Sequence, residues 1–194
     1  KDAPVHAALH VCHKLRSAGL SLNPEQALIQ AAAKPLLEEA TTPSDKSLIV
    51  IHPGSGDPAK NHPLEVWMRL LEEIRYGAAF PHLDAVWLLG PAEASMRPLL
   101  ERNRPSEQDA VVFCPEKDSL LSLLGRAAIY LGHDSGVTHL AAMLGAPTLA
   151  LFRASDPSQW KPLGPRVTIL RDIRPLARLV RKAAESSRTL VSSL

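Results

Sequence analysis

From Ser47 onward, short apolar runs alternate with segments whose apolar residues recur at helical spacing. The apolar runs cover residues 48–52, 85–89, 110–113, 129–131, 148–152 and 167–170. Strands that alternate with helices are joined by helical crossovers, so they form a parallel sheet with helices on both faces. The pattern therefore predicts an α/β fold, a Rossmann-like parallel sheet flanked by helices, with right-handed crossovers.

The segments on either side of this alternation have a different character. Residues 1–46 predict a helical lead-in that prolines interrupt, and the turn-forming residues 41–45 predict a linker to the sheet. Residues 172–194 predict a basic amphipathic helix. We therefore divide the chain into a lead-in or inter-domain segment (1–46), a Rossmann-like domain (47–171) and a C-terminal basic helix (172–194).

Composition argues against several functional classes. Lys and Arg number 22 against 20 Asp and Glu, and aromatic residues make up 4% of the chain, so a general nucleic-acid surface is disfavoured. Cys12 and Cys114 are too far apart for a metal or redox motif, which predicts reduced thiols in a cytoplasmic protein. We found neither a signal peptide nor an apolar run of membrane-spanning length.

The polar turn after the fourth strand is the most informative motif. The run 128–131 is expected to hand over at Gly132 to a helix whose first turn is 135–138. The unpaired N–H groups and partial positive charge of such a terminus attract phosphate, and Gly136 lets an anion approach the backbone. Asp134 would repel an anion, so it either caps the helix or accepts hydrogen bonds from hydroxyls attached to the phosphate. A phosphate joined to a polyol indicates a sugar nucleotide.

The same turn has a purely structural alternative. Asp134 and Ser135 are common capping residues, and His139 would then pack beneath the helix. For the turn taken alone, this alternative stays open.

Other loops after strands offer further candidates, because ligands of open α/β sheets bind at the carboxyl ends of the strands. The glycine-rich loop 52–61 could place Lys60 beside phosphate oxygens. A plain turn with a solvated lysine would have the same sequence pattern. Glu93 can accept hydrogen bonds from ribose hydroxyls, although the helix dipole alone favours an acid there. The long loop 153–165 is expected to cover a site.

Several short motifs between residues 46 and 171 occur in one fixed order. In chain order they are His52–Gly54, Lys60–Leu64, Leu88–Gly90, Gly132–Ala142, Gly145–Thr148, Phe152, Asp156–Pro157 and Trp160–Pro165. With these motifs the chain resembles the heptosyltransferase family of glycosyltransferases. The Asp-Ser-Gly-x-x-His-x-Ala element followed by Gly-Ala-Pro is the most specific of them.

The resemblance implies a metal-independent, inverting enzyme of GT-B architecture, in which two Rossmann-like domains face each other across a cleft. Such enzymes transfer heptose from ADP-heptose to the lipopolysaccharide core and need no cofactor. This chain resembles the C-terminal, donor-binding half. The resemblance places the acceptor site and the general base on an N-terminal domain that is absent from this sequence.

The resemblance also implies a role for each site residue. Ser55 and Lys60 would contact the diphosphate, Glu93 the ribose, and Asp134 the heptose hydroxyls, with Lys60 and Asp134 as the catalytic pair. The phosphates would be bound by the backbone N–H groups of Ser135, Gly136, Val137 and Thr138. His139 would hold the turn in shape.

Two alternatives to this function remain open at this point. A sugar-nucleotide epimerase of GT-B type shares the plan and a similar Asp-Ser-Gly turn, although Thr138-His139 stands where epimerases usually carry acids. A non-catalytic nucleotide-binding module is the other. The predicted basic helix at 172–194 could contact anionic lipid at the inner face of the inner membrane, contact core phosphates, or pack against the absent domain, but most charged helix faces are only solvated.

Overall fold

The computed structural model describes residues 5–36, 48–76 and 83–171. The strands in these ranges are β1 (Leu48–His52), β2 (Asp84–Leu89), β3 (Ala110–Phe113), β4 (Ala127–His133), β5 (Thr148–Leu151) and β6 (Val167–Leu170). They form a parallel sheet in the order β3-β2-β1-β4-β5-β6. This is the strand order of a doubly wound Rossmann sheet, and it confirms the predicted α/β class.

Helices cover both faces of the sheet. They are α1 (Ala7–Ser17), α2 (Pro24–Ala33), α3 (Leu64–Tyr76), α4 (Arg97–Asn103), α5 (Lys117–Gly125), α6 (Gly136–Met143) and α7 (Pro157–Trp160) within the described residues. Short 3-10 turns precede α3 and α4, at Pro58–Lys60 and Pro91–Met96.

The predicted strands agree with the observed ones in position, and the one substantial difference lies in β4. The sequence predicted residues 129–131, with the handover to the helix at Gly132, but the strand runs on to His133. The extension arises because His133 still pairs with Leu151 of β5. Gly132 suits this place because a Cβ there would lie 2.7 Å from the Tyr130 hydroxyl.

The core has one half on each face of the sheet. On one face, alternate residues of the strands pack against α3, with Ile51, Trp67 and Leu131 fully buried. On the other face, Val50 and Leu124 are fully buried against α5 and α6. Burial of each large apolar side chain stabilises the fold by about 1.5–3 kcal/mol, so the two faces together fix the sheet between its helices.

The helical prediction for the lead-in is confirmed as far as it is described. No residue of α1 is buried, and α1 is tied to the body by the His6 ring, whose Nε2 lies 2.9 Å from the carbonyl of Lys161. The predicted linker at 41–45 and the predicted basic helix at 172–194 lie outside the described residues. The division of the chain into three segments stays a prediction.

The strand order reverses between β1 and β4, and this reversal positions the site. Because the connections from these two strands run to opposite faces of the sheet, their carboxyl ends leave a crevice between them. The residues that follow β1 and β4 are those that the sequence singled out. In the described ranges, no helix is long and apolar enough to cross a membrane.

Candidate functional site

The crevice joins two predicted site residues that are far apart in sequence. Lys60 ends the 3-10 turn after β1, where Asp57 caps the turn by accepting a hydrogen bond from the N–H of Ala59. Asp134 follows β4 directly. The Lys60 ammonium donates to Asp134 Oδ2 over 2.9 Å, and the two side chains are 29% and 8% exposed. The structure therefore places the predicted catalytic pair in direct contact.

Asp134 receives two further partners. The hydroxyl of Ser155 donates to its Oδ2 over 2.7 Å, and Nε2 of His139 lies 3.7 Å from its Oδ1. Burial alone would raise the pKa of Asp134, but the hydrogen bonds from Lys60 and Ser155 outweigh it and hold that pKa below its usual value. Asp134 is therefore an ionised acceptor at the carboxyl end of β4.

Ser155 is a site residue that the sequence did not single out. It lies in the loop 153–165, which the sequence predicted to cover a site. The signal that could have found it is its place after β5, whose carboxyl end lies beside that of β4.

Ser135, not Asp134, caps helix α6. The hydroxyl oxygen of Ser135 accepts a hydrogen bond from the N–H of Thr138 over 3.3 Å, so of the two alternatives given for Asp134 the capping one is wrong. The physical reason is the length of β4, which places Asp134 one residue too early and turns it toward Lys60. Among the described residues no acceptor binds the N–H groups of Gly136 and Val137, and Gly136 is exposed. These two groups are available to an anion.

Thr138 is buried beneath the same helix terminus. Its side chain is 0% exposed, its hydroxyl donates to the carbonyl of His133, and the Tyr130 hydroxyl lies 3.2 Å away. Its N–H is occupied by the cap. The phosphate contacts predicted for the four N–H groups of 135–138 stay predictions, and the geometry favours those of Gly136 and Val137.

The glycine-rich loop after β1 is held by its own polar side chains. The Ser55 hydroxyl lies 2.6 Å from Asn61 Oδ1 and 3.1 Å from the carbonyl of Asp57. Gly54 is required at its position because a Cβ there would lie 1.9 Å from Glu93 Oε1. Ser55 therefore shapes the loop that carries Lys60, and its predicted diphosphate contact stays a prediction.

Glu93 lies under this loop. The residue is buried at 3% exposure, and its Oε2 accepts a hydrogen bond from the N–H of Gly90 over 2.9 Å. The neighbouring His52 ring and the hydrogen bond from the N–H of Gly90 keep the pKa of Glu93 below its usual value despite burial. The structure thus gives Glu93 a loop-holding role, and its predicted contact with ribose stays a prediction.

His139 and His133 have different environments. Burial lowers the pKa of His139 and outweighs the opposing effect of Asp134. The sequence did not single out His133, which is fully buried, accepts a hydrogen bond from the N–H of His62 over 3.0 Å and packs edge-on against Trp67. Burial lowers the pKa of His133 to about 3. His133 is therefore neutral and ties the loop after β1 to the end of β4.

The crevice combines groups of complementary chemistry. One ammonium group and two unpaired N–H groups suit the oxygens of a phosphate, and an ionised carboxylate beside them suits hydroxyl donors. In residues 5–36, 48–76 and 83–171, no three His, Cys, Asp or Glu side chains gather so that they could hold a metal ion.

Comparison with known proteins assigns the chain to a family. The model of glycosyltransferase family 9 (heptosyltransferase) matches residues 6–187. The chain belongs to glycosyltransferase family 9. A comparison with curated proteins gave no match.

Solved structures agree with the family assignment at the level of the fold. E. coli ADP-heptose LPS heptosyltransferase II is 18% identical with a TM-score of 0.57, and the match covers 90% of this chain and 53% of that one. E. coli heptosyltransferase WaaC with ADP is 19% identical with a TM-score of 0.55, covering 78% of this chain and 46% of that one. A family 9 glycosyltransferase from Veillonella parvula DSM 2008 is 21% identical with a TM-score of 0.53, covering 76% and 40%.

The family 9 chain described here spans about half of the length of these solved structures. The likeness covers 76–90% of this chain, and it confirms that the chain has the fold of one half of a GT-B glycosyltransferase.

Proposed function

We propose that this chain is the donor-binding half of a heptosyltransferase that moves heptose from ADP-heptose to a lipopolysaccharide core acceptor. The donor would bind at the carboxyl ends of β1 and β4. Lys60 and the N–H groups of Gly136 and Val137 would bind its diphosphate, and Asp134 would accept hydrogen bonds from the heptose hydroxyls.

One observation carries this proposal. Lys60 and Asp134, 74 residues apart in sequence, meet at 2.9 Å beside a helix terminus with unpaired N–H groups. A cation, a helix terminus and a carboxylate at one crevice match a ligand that joins phosphate to a polyol. The family assignment and the ADP in the structure of E. coli heptosyltransferase WaaC support the same class of ligand.

The chemistry follows from where charge develops. When an acceptor hydroxyl displaces ADP from the anomeric carbon, the bond to the diphosphate breaks and its electron pair stays on the leaving phosphate. Lys60 and the terminus of α6 would lie where that negative charge grows. A well-placed donor of this kind lowers the barrier by about 3–4 kcal/mol.

Asp134 has a separate part in the proposal. Because its carboxylate is held ionised by Lys60 and Ser155, it can accept hydrogen bonds from two sugar hydroxyls and fix the anomeric carbon. Once Lys60 turns to the diphosphate, hydroxyl protons of the sugar would replace the ammonium on Asp134.

The remaining parts of the reaction lie with other elements. The acceptor and the general base that deprotonates it would belong to an N-terminal domain facing this crevice, at the cytoplasmic side of the inner membrane.

The match to a family of transferases does not favour the epimerase alternative.

A panel of nucleotides tests the proposal. Calorimetric titration of the chain with ADP, UDP, GDP and CMP is expected to give binding to ADP in preference to the others. ADP-heptose is expected to bind at the same site, in competition with ADP. A chain that binds none of these nucleotides would overturn the proposed function.

A further inference from the structure

His52 is a buried imidazole that the proposed chemistry does not use. It ends β1 and is 5% exposed, so a ligand in the crevice would not reach its ring. Buried polar groups in proteins usually have polar partners. Each ring nitrogen of His52 faces a polar atom.

The two ring nitrogens of His52 face two different loops. Nδ1 lies 3.4 Å from the hydroxyl oxygen of Ser135, the cap of α6. Nε2 lies 3.6 Å from Glu93 Oε2, and both side chains of that pair are buried at 6% and 4% exposure. Glu93 in turn fills the space under Gly54 in the glycine-rich loop. One ring thus links the loop that carries Lys60 to the terminus of α6.

No strand pairing can replace this link. The pairing between β1 and β4 ends at His52 and Gly132, and beyond that point the segments that follow the two strands diverge to form the crevice. The N–H groups of α6 and the ammonium of Lys60 must be held at one spacing to bind two phosphates together. Side chains below the crevice are the elements placed to set that spacing.

We propose that His52 is a positioning residue that couples the glycine-rich loop to the terminus of α6, and that ADP affinity depends on this coupling without His52 touching ADP. The inference rests on the proposed function, since it assumes that ADP binds at these two loops.

Substitutions can separate the two contacts. The side-chain amide of Asn can reproduce the position of Nδ1, and that of Gln the position of Nε2. His52→Leu removes both contacts and is expected to weaken ADP binding about tenfold, equivalent to about 1.4 kcal/mol. His52→Asn keeps the contact with Ser135 and is expected to stay within about threefold of the wild-type affinity, with His52→Gln between the two.

A control variant separates positioning from stability. Leu124 is fully buried in α5 and belongs to neither loop, so Leu124→Ala destabilises the fold by creating a cavity. We expect Leu124→Ala to lower the melting temperature while its ADP affinity, measured well below that temperature, stays as in wild type. An equal loss of affinity in Leu124→Ala and His52→Leu would show that stability alone is at work and would overturn the inference.

Calorimetric titration with ADP gives the remaining outcomes. Wild-type affinity in both His52→Asn and His52→Gln, with His52→Leu either binding normally or failing to fold, overturns the positioning role and leaves the proposed function intact. A wild-type chain that does not bind ADP overturns both. Graded loss in the order Asn, Gln, Leu supports the positioning role.

Discussion

Lys60 and Asp134 form an ion pair across the crevice between β1 and β4, with Nζ and Oδ2 2.9 Å apart. The ammonium that we assign to the diphosphate is therefore occupied by the carboxylate that we assign to the sugar. A ligand without a sugar must draw Lys60 away and leave Asp134 facing its phosphates. A nucleotide sugar instead supplies hydroxyl groups that take over Asp134. Under the proposed function, the pair would favour the complete donor over the free nucleotide.

Replacing Asp134 by Asn is expected to change the two affinities in opposite directions. ADP affinity should rise, because Lys60 is released and the repulsion between carboxylate and phosphate is removed. ADP-heptose affinity should fall about tenfold, because a neutral amide accepts weaker hydrogen bonds from the sugar. Calorimetry with both ligands measures the difference.

Asp118→Asn is the matched control, since Asp118 is an exposed acid in the first turn of α5. It is expected to leave both affinities unchanged. A parallel loss for ADP and ADP-heptose in Asp134→Asn would be incompatible with the proposed exchange of partners.

Replacing Lys60 by Ala is expected to weaken ADP binding about 10- to 100-fold, the effect of removing a charge-assisted hydrogen bond. The affinity of the variant should also depend less on salt, because one ionic contact is gone. Lys117→Ala removes an exposed lysine elsewhere and serves as the control. Unchanged ADP affinity in Lys60→Ala would exclude Lys60 from the diphosphate site.

Gly136→Ala is expected to separate ligand binding from folding. A Cβ at this position meets no atom within 4 Å, so the unfolding free energy should stay within about 1 kcal/mol of wild type. The added methyl group nevertheless projects at the helix terminus and should lower ADP affinity about tenfold. Urea unfolding and calorimetry check the two halves. Wild-type affinity would place the anion elsewhere.

Gly54→Ala, in contrast, is expected to destabilise the fold. Here a Cβ would lie 1.9 Å from Glu93 Oε1, and the loop or the carboxylate must move. We expect a loss of about 1–3 kcal/mol in the unfolding free energy, measured by urea titration. Stability equal to wild type would mean that Glu93 does not fix this loop.

His133→Gln is expected to flatten the dependence of the unfolding free energy on pH. Burial lowers the pKa of folded His133 to about 3 from 6.5, so below pH 6.5 the unfolded chain binds a proton that the folded chain does not. Wild-type stability therefore falls as the pH drops from 6.5 toward 3, by on the order of 3 kcal/mol at about pH 4 through this residue. Gln cannot titrate.

Urea titrations of wild type and His133→Gln at about pH 7 and about pH 4 measure this effect. His10→Gln, at an exposed histidine of α1, is the control and should keep the wild-type slope. The same slope in His133→Gln as in wild type would contradict the buried, neutral state of His133.

The sheet was predictable because its strands are short apolar runs bounded by turn formers. The runs 48–52, 110–113 and 167–170 match β1, β3 and β6 to the residue. The end of β4 was not predictable, because Gly132 reads as a turn former and its strand pairing depends on a neighbour, β5, that is distant in sequence.

The candidate site divides in the same way. The turn 134–138 and Lys60 could be found from the sequence, because glycine, capping residues and a lysine after a strand carry local signals. The contact between Lys60 and Asp134 could not, since it depends on which loops the strand order brings together. The same holds for the contacts of His52 with Ser135 and of Ser155 with Asp134, which also depend on the strand order.

The amide signals of Gly136 and Val137 test the central claim most directly. In a titration of the isotope-labelled chain with ADP, followed by ¹⁵N–¹H NMR, these two signals are expected to be among those that shift most, because their N–H groups would donate to the diphosphate. The same titration of Lys60→Ala should need a higher ADP concentration for the same shifts. Shifts that spare both amides and gather at another part of the chain would contradict the account.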